Sequence, residues 1–158
     1  MIDITEDATA FAARLPDGGV LLGLDPGTRT IGTALCDAGW RFATADKTLR
    51  RGKFSADAAI LADLVRQRAV RGLVCGLPRN MDGSEGPRAQ GVRAFARNLA
   101  GTLMLPMLLW DERWSTISAE RDLIAQDVSR KKRGAVIDSH AAAVILQGAL
   151  DALAGSSF

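Results

Sequence analysis

The chain has 158 residues, 47% of them hydrophobic, so it can form one domain with a complete core but is too short for two comfortable ones. No apolar run approaches the roughly 20 residues of a membrane-spanning helix, and the N-terminus is acidic where a signal peptide would be basic, which predicts a cytoplasmic protein without membrane contacts. Cys36 and Cys75 lie in apolar runs without zinc-site spacing and are predicted to be reduced core residues.

The first half of the chain has the pattern of a short helix followed by three strands. Apolar residues recur with helical spacing between residues 5 and 15, which predicts a helical extension over residues 1–19. Two apolar runs, 20–24 and 31–36, are separated by a Pro/Gly turn and are typical of a β-hairpin. Residues 40–49 have the pattern of a third strand. Short turns between the three strands predict an antiparallel meander.

The second half alternates between helical and strand patterns, which requires crossovers and a parallel part of the sheet. The predicted order is helix 55–69, strand 72–76, helix 87–99, strand 105–110, helix 115–126, a mobile basic loop over 127–135, and helix 136–153. The expected architecture is therefore α/β, with a five-stranded mixed sheet flanked by helices. Three antiparallel strands are followed by two parallel ones, and this order matches the ribonuclease H-like fold. One such domain is expected to span residues 1–158.

Charge is distributed unevenly although the formal net charge is only +2. Seven arginines occur between residues 66 and 97 against Asp82 and Glu85, and the run 130–133 contains only arginine and lysine. Basic surface around a few acids suits a metal-dependent enzyme that acts on a polyanion. The alternative is that these charges simply face water on helices.

Four acids occur where predicted elements end or begin. Asp25 ends the first strand of the hairpin, Asp111 and Glu112 end the last strand, and Asp138 opens the final helix. Each has apolar neighbours, and burial of a carboxylate is costly unless a cation is near; Mg²⁺ or Mn²⁺, which prefer oxygen ligands, would supply one. Each acid also has an ordinary interpretation, because Asp25 could cap a turn, Asp138 could favour a helix start, and Asp111 with Glu112 could form salt bridges.

Two further features are less specific. His140 follows Asp138 by two residues, about 200° around a helix, so a shared metal site is not expected and a packed or supporting histidine is. The loop over 76–87 leads into a helix and carries Arg79, with Arg88 just beyond it. Such a loop could hold a phosphate, but it also meets the plain requirements of a strand-to-helix connection.

Four segments together resemble one family. They are LGLDPGTRTIGTAL (22–35), GLPRNMDGSEGPRAQGVRAFARNL (76–99), WDERWST (110–116) and IDSHAAAVILQ (137–147). In this order and spacing they resemble the YqgF family, also called RuvX-like, of pre-16S rRNA nucleases and Holliday junction resolvases. The likeness covers nearly the whole chain after residue 19 and implies a ribonuclease H-like fold with a nuclease active site.

Carried over by matching motifs, the resemblance implies that Asp25, Glu112 and Asp138 are the catalytic acids and hold one or two Mg²⁺ (or Mn²⁺) ions. Asp111 is the reserve candidate, because neighbours on a strand face opposite ways. The related junction resolvases take an acid from the end of the fourth strand, which is absent here. Basic residues are expected to guide the substrate backbone; they are Arg29, Arg79, Arg113, Arg130, Lys131, Lys132 and Arg133.

The resulting hypothesis is a metal-dependent endonuclease that matures the 5′ end of pre-16S rRNA, leaving 5′-phosphate and 3′-hydroxyl ends, with the ribosomal small-subunit precursor as a further partner. One alternative is a resolvase of branched DNA, which would require a symmetric dimer; the sequence leaves monomer and homodimer open. A second is a non-catalytic RNA-binding module. A third is ATP binding, since the turn after Asp25 also resembles the phosphate-binding turn of actin-like and sugar-kinase proteins, which need two such domains.

Overall fold

The computed structural model describes residues 3–114 and 130–155, with side chains for 3–114 and 139–155. Six strands in these ranges form one sheet: Ile4–Thr5 (β1), Val20–Pro26 (β2), Thr30–Cys36 (β3), Ala43–Arg50 (β4), Val70–Leu77 (β5) and Met107–Asp111 (β6). The helices in the same ranges are Ala8–Arg14 (α1), Phe54–Arg68 (α2), Pro87–Leu103 (α3) and Arg130–Gly155 (α4), and a 3-10 turn covers Glu112–Trp114.

The strand order in the sheet is β1-β6-β5-β2-β3-β4. Strands β2, β3 and β4 are antiparallel neighbours, whereas β5 pairs parallel with β2 and β6 pairs parallel with β5. Leu24 is therefore level with Cys75, and Cys75 is level with Leu109. Because β2, β5 and β6 run in one direction, their carboxyl ends meet at a single edge of the sheet, which we call the carboxyl edge.

Both faces of the sheet are covered, which explains the almost unbroken apolar runs of the central strands. Leu22, Leu24 and Leu109 pack with buried residues of α2 and α3 on one face. Leu21 and Trp110 pack with α1 and α4 on the other. Alternation along each strand assigns every side chain to the α3 face or to the α4 face.

The predicted α/β fold with a mixed sheet is confirmed, including three antiparallel strands followed by two parallel ones. The count of five strands is wrong, because β1 adds a sixth strand parallel to β6 at the outer edge. This strand has only two residues, Ile4 and Thr5, which is too short to show an alternating pattern. The helix predicted for residues 5–15 is shorter and covers Ala8–Arg14.

The predicted basic loop is also partly wrong. Residues 130–135 form the beginning of α4, which starts six residues earlier than expected. Lysine and arginine have good helix propensity, and one glycine, Gly134, costs only about 1 kcal/mol within a long helix. Residues 127–129 and the predicted helix 115–126 lie outside the described residues.

Cys36 and Cys75 are both buried and unbridged, which confirms them as core residues. Within the described ranges, no helix combines the length and hydropathy needed to cross a membrane.

Candidate active site

Asp25 lies at the carboxyl edge and is almost fully buried, with 3% of its surface exposed. It pairs with Gly32 of β3 in the register of the hairpin. Two residues before it, Gly23 allows α4 to approach closely, because a Cβ there would stand 2.8 Å from Leu146 Cβ and 3.1 Å from the Ala142 carbonyl oxygen. Positions two apart on a strand share a face, so Asp25 lies on the α4 face.

Asp111 and Glu112 lie on different sides of the sheet. Asp111 is two residues beyond Leu109, on the α3 face, and is 1% exposed. Glu112 opens the 3-10 turn, and its Oε1 lies 3.0 Å from the place that a Cβ would take at Gly76. That same place is 2.4 Å from Cδ1 of Ile145 in α4, so the Glu112 carboxylate is on the α4 side together with Asp25.

The pKa of the buried Cys75 thiol is affected by both of these carboxylates. Burial raises the pKa of Cys75 far above its ordinary value, and the negative charges of Asp25 and Glu112 raise it further. The positive charge of Arg51 lowers the same pKa. Two acids from β2 and from the end of β6 therefore act on one point of β5, and Cys75 itself stays a neutral thiol rather than a thiolate ligand.

Asp138 belongs to α4, and only its backbone is described. It precedes Ala142 by four residues, which is about one helical turn, and Ala142 is the residue whose carbonyl approaches Gly23. Asp138 is thus carried by the helix that covers the face on which Asp25 lies. His140 follows it and is half-buried.

The donor set suits a hard divalent cation. Carboxylate oxygens are the protein ligands that Mg²⁺ and Mn²⁺ prefer, and the glycine at position 76 leaves room for the Glu112 carboxylate beside β5. Among residues 3–114 and 139–155, no three potential ligands surround one point. A complete site would take its third ligand from outside these side chains, where the predicted ligand Asp138 lies.

Two of the arginines predicted to guide substrate, Arg79 and Arg113, form ion pairs within the chain. Asp111 Oδ2 accepts from Arg113 Nη2 at 2.7 Å and from Arg79 Nη1 at 3.2 Å. Burial alone would raise the pKa of Asp111, but these hydrogen bonds outweigh it and hold that pKa below its usual value. The Asp111 carboxylate is therefore occupied by two guanidinium groups on the α3 face.

The same cluster extends to the N-terminal segment and to α3. Arg93 binds Glu85 through two hydrogen bonds of 2.6 and 2.7 Å, and Arg79 Nε reaches Glu85 at 3.2 Å. Glu6 contacts both Arg79 and Arg93. The hydrogen bonds from Arg93 first, and then from Arg79, lower the pKa of Glu85 to about 2. We call this set the arginine–carboxylate network, and its members are Arg79, Arg93, Arg113, Glu6, Glu85 and Asp111.

Arg29 and the basic run 130–133 are the other residues predicted to contact the substrate. Arg29 is exposed in the turn between β2 and β3 and has no ion-pair partner among the described side chains. For the run 130–133 the structure describes only a helical backbone.

Arg51 is not among the predicted site residues, yet its charge acts on Cys75 together with those of Asp25 and Glu112. Its guanidinium donates to the Gly27 carbonyl oxygen and stacks on the Phe95 ring, 4.8 Å from the ring centroid. A basic residue just after β4 in a charged segment carries no distinguishing pattern, so only its position beside the β2–β3 turn reveals it.

Comparison with known proteins places the chain in a family. Residues 19–152 match the RuvX family, which is described as Holliday junction resolvase. The chain belongs to the RuvX family. A protein from Novosphingobium aromaticivorans is 63% identical over 155 residues, which is 98% of this chain and 99% of that protein. A Sphingopyxis alaskensis protein is 65% identical over 150 residues, covering 95% and 98%. Both carry the name "Putative pre-16S rRNA nuclease".

Solved structures support the RuvX fold. Thermus thermophilus RuvC superimposes with a TM-score of 0.53 at 13% identity, covering 87% of this chain and 97% of RuvC. RuvC in complex with a Holliday junction substrate gives a TM-score of 0.51 at 12% identity with the same coverage. At this identity the likeness shows a shared ribonuclease H-like fold and nothing finer.

Proposed function

We propose that this RuvX-family protein is a metal-dependent endonuclease that hydrolyses phosphodiester bonds in structured RNA, and that it matures the 5′ end of pre-16S rRNA. The observation that carries the proposal is the division of acids at the carboxyl edge. Asp25 and Glu112 share the α4 side, whereas Asp111 is bound by arginines on the other. The names of the highly similar relatives support the choice of substrate.

In this proposal Asp25, Glu112 and Asp138 hold Mg²⁺ or Mn²⁺. When bound, such ions activate a water molecule and stabilise the leaving oxygen of a phosphodiester. Asp25 is buried, so its charge is poorly screened and a cation offsets the cost of its desolvation. Glu112 adds a second carboxylate from the end of β6, which is the neighbour of β5 on the side away from β2. Asp111 is not proposed as a ligand, because both of its oxygens accept hydrogen bonds from Arg113.

Catalysis is tested with a precursor transcript and Mg²⁺. We expect Asp25→Asn and Glu112→Gln each to reduce cleavage by at least about 100-fold, since each removes one carboxylate ligand. Asp63→Asn is the matched control, because Asp63 is an exposed aspartate on α2 that pairs with Arg66, away from the carboxyl edge. Equal cleavage by Asp25→Asn and the wild type would overturn the catalytic assignment. Binding of the transcript without any Mg²⁺-dependent cleavage would instead favour a non-catalytic RNA-binding module.

The description of the RuvX family favours a second candidate, a resolvase of branched DNA. Both candidates use the same acids and differ in substrate, and symmetric resolution of a four-way junction would require a dimer. Side-by-side cleavage of a precursor rRNA and a four-way DNA junction separates them, with the oligomeric state measured in the same buffer. We expect the precursor rRNA to be cleaved in preference to the junction. In the cell, the proposed substrate is the small-subunit precursor in the cytoplasm.

A further inference from the structure

A cleft of about 210 Å³ begins one residue beyond Asp25. The β2–β3 turn forms one wall and the first turns of α3 form the other. We call it the arginine cleft. Its lining includes Pro26, Gly27, Thr28, Arg51, Arg88 and Gly91. No carboxylate is among the lining residues that the structure describes, so the charged side chains of the lining are both positive. The cleft opens on the α3 side of the carboxyl edge, whereas Asp25 and Glu112 lie on the α4 side.

Arg51 is fixed in the cleft before any ligand arrives. Its backbone N–H donates to the Arg29 carbonyl oxygen at 2.8 Å, its Nη1 donates to the Gly27 carbonyl, and its guanidinium stacks on Phe95. A guanidinium has five N–H donors, and only one of them is used in the hydrogen bond to Gly27. A side chain held in this way loses little entropy when it binds an anion.

Arg88 and Gly91 form the open side of the cleft. Arg88 is exposed and makes no ion pair with any side chain in the described part of the chain, in contrast to Arg79 and Arg93 nearby. Gly91 is exposed too, and a Cβ built there meets no atom within 4 Å. The space is therefore accessible from solvent and large enough for a phosphate group, given that a water molecule takes about 30 Å³ in the liquid.

We infer that the arginine cleft binds a backbone phosphate of the nucleic acid, held by Arg51 and Arg88, on the α3 side of the same carboxyl edge that carries Asp25. This inference rests on the proposed function for its ligand class. A guanidinium matches the geometry of a phosphate and can donate two parallel hydrogen bonds to it. The contact is made to the backbone, so it positions the substrate without reading its sequence.

The test measures binding apart from cleavage. A fluorescently labelled precursor RNA is titrated in EDTA at several KCl concentrations, and Kd is read from anisotropy. We expect Arg88→Ala to weaken binding about tenfold, as for loss of a hydrogen bond to a charged group, and to reduce the slope of log K against log salt by about one contact. Arg97→Ala is the matched control, because Arg97 is exposed on the same helix, away from the cleft.

Gly91 provides a second test that does not remove an arginine. Gly91→Glu places a carboxylate in the cleft, whereas Gly91→Gln places an uncharged side chain of the same shape there. Both replace a glycine inside α3 and should preserve folding. We expect Gly91→Glu to bind RNA at least as weakly as Arg88→Ala does. The affinity of Gly91→Gln should lie between those of the wild type and Gly91→Glu.

The outcomes separate the two proposals. If the variants show these binding changes but the wild-type protein cuts no substrate, the arginine cleft stands and the nuclease proposal fails. If the wild type cuts RNA while Arg88→Ala and Gly91→Glu bind like Arg97→Ala, the cleft inference is overturned and the nuclease proposal stands. Wild-type protein that binds no RNA in EDTA also overturns the cleft inference.

Discussion

The arginine–carboxylate network and the arginine cleft lie at the same carboxyl edge, yet their arginines have opposite surroundings. In the network, three guanidinium groups are matched by three carboxylates of the same chain. In the cleft, Arg88 has no carboxylate partner among the described side chains, and Arg51 is held by a carbonyl oxygen and an aromatic ring. If both proposals hold, Arg79 and Arg113 stabilise the protein beside the site, whereas Arg51 and Arg88 contact the substrate.

The largest expected effect comes from removing the buried carboxylate of the network. Asp111→Ala leaves Arg79 and Arg113 without their shared partner, and we expect a loss of about 3–5 kcal/mol in the free energy of unfolding. Urea unfolding measures it. Asp63→Ala is the control, because Asp63 pairs with Arg66 at the exposed surface and should cost less than about 1 kcal/mol. Losses of equal size would remove the distinction between the network and an ordinary surface pair.

A smaller effect is expected at Gly76, which lies against Glu112 and Ile145 on the α4 side. The new Cβ of Gly76→Ala would stand 2.4 Å from Ile145 Cδ1 and 3.0 Å from Glu112 Oε1. We expect a loss of about 1–3 kcal/mol from overpacking, together with a higher Mg²⁺ requirement for cleavage. Unfolding curves and Mg²⁺ titrations of the activity measure the two effects.

The matched control for Gly76→Ala is the double variant Gly76→Ala with Ile145→Val, which removes the methyl group nearest to the new Cβ. It should recover most of the stability and leave the changed Mg²⁺ requirement, because Glu112 is still displaced. A double variant that recovers both properties would show that the glycine serves packing alone.

The smallest expected effect is a pH dependence that belongs to the network. The folded-state pKa of Glu85 is about 2, below its ordinary value of 4.5, so its ion pairs contribute stability above about pH 4.5 and lose it as the pH falls towards 2. We expect Glu85→Gln to show a shallower decrease of unfolding free energy between pH 5 and pH 3 than the wild type. The reference variant is Arg88→Ala, whose pH dependence should equal that of the wild type.

Much of the fold was predictable because periodicity reports burial directly. The apolar runs of β2 and β3 gave the hairpin, and the change to helical spacing gave the two crossovers. The strand β1 was not predictable, because two residues carry no period and their pairing with β6 depends on a partner about 100 residues away. The start of α4 was missed because a run of basic residues is compatible with either a loop or a helix.

The sequence predicts which acids stand at strand ends, but not on which side of the sheet each one lies. Sequence alone left Asp111 and Glu112 as alternatives, and alternation along β6 with the contact at Gly76 shows that they lie on opposite sides of the sheet. The network could not be foreseen, because Glu6 and Arg79 are separated by 73 positions and meet only through the tertiary fold. For the same reason the intrachain ion pairs of Arg79 and Arg113 could not be predicted, and their contact with substrate stays a prediction.

The N-terminal segment contacts β6, and Glu112 directly follows the end of that strand. Ile4 and Thr5 extend the sheet beside β6, and Glu6 binds two arginines of the network. The stretch matched to the RuvX family, residues 19–152, leaves these residues out. A shortened protein that starts at that boundary would keep every predicted ligand but lose part of the scaffold beneath them. Family boundaries are therefore a poor guide to where this enzyme can be trimmed or tagged.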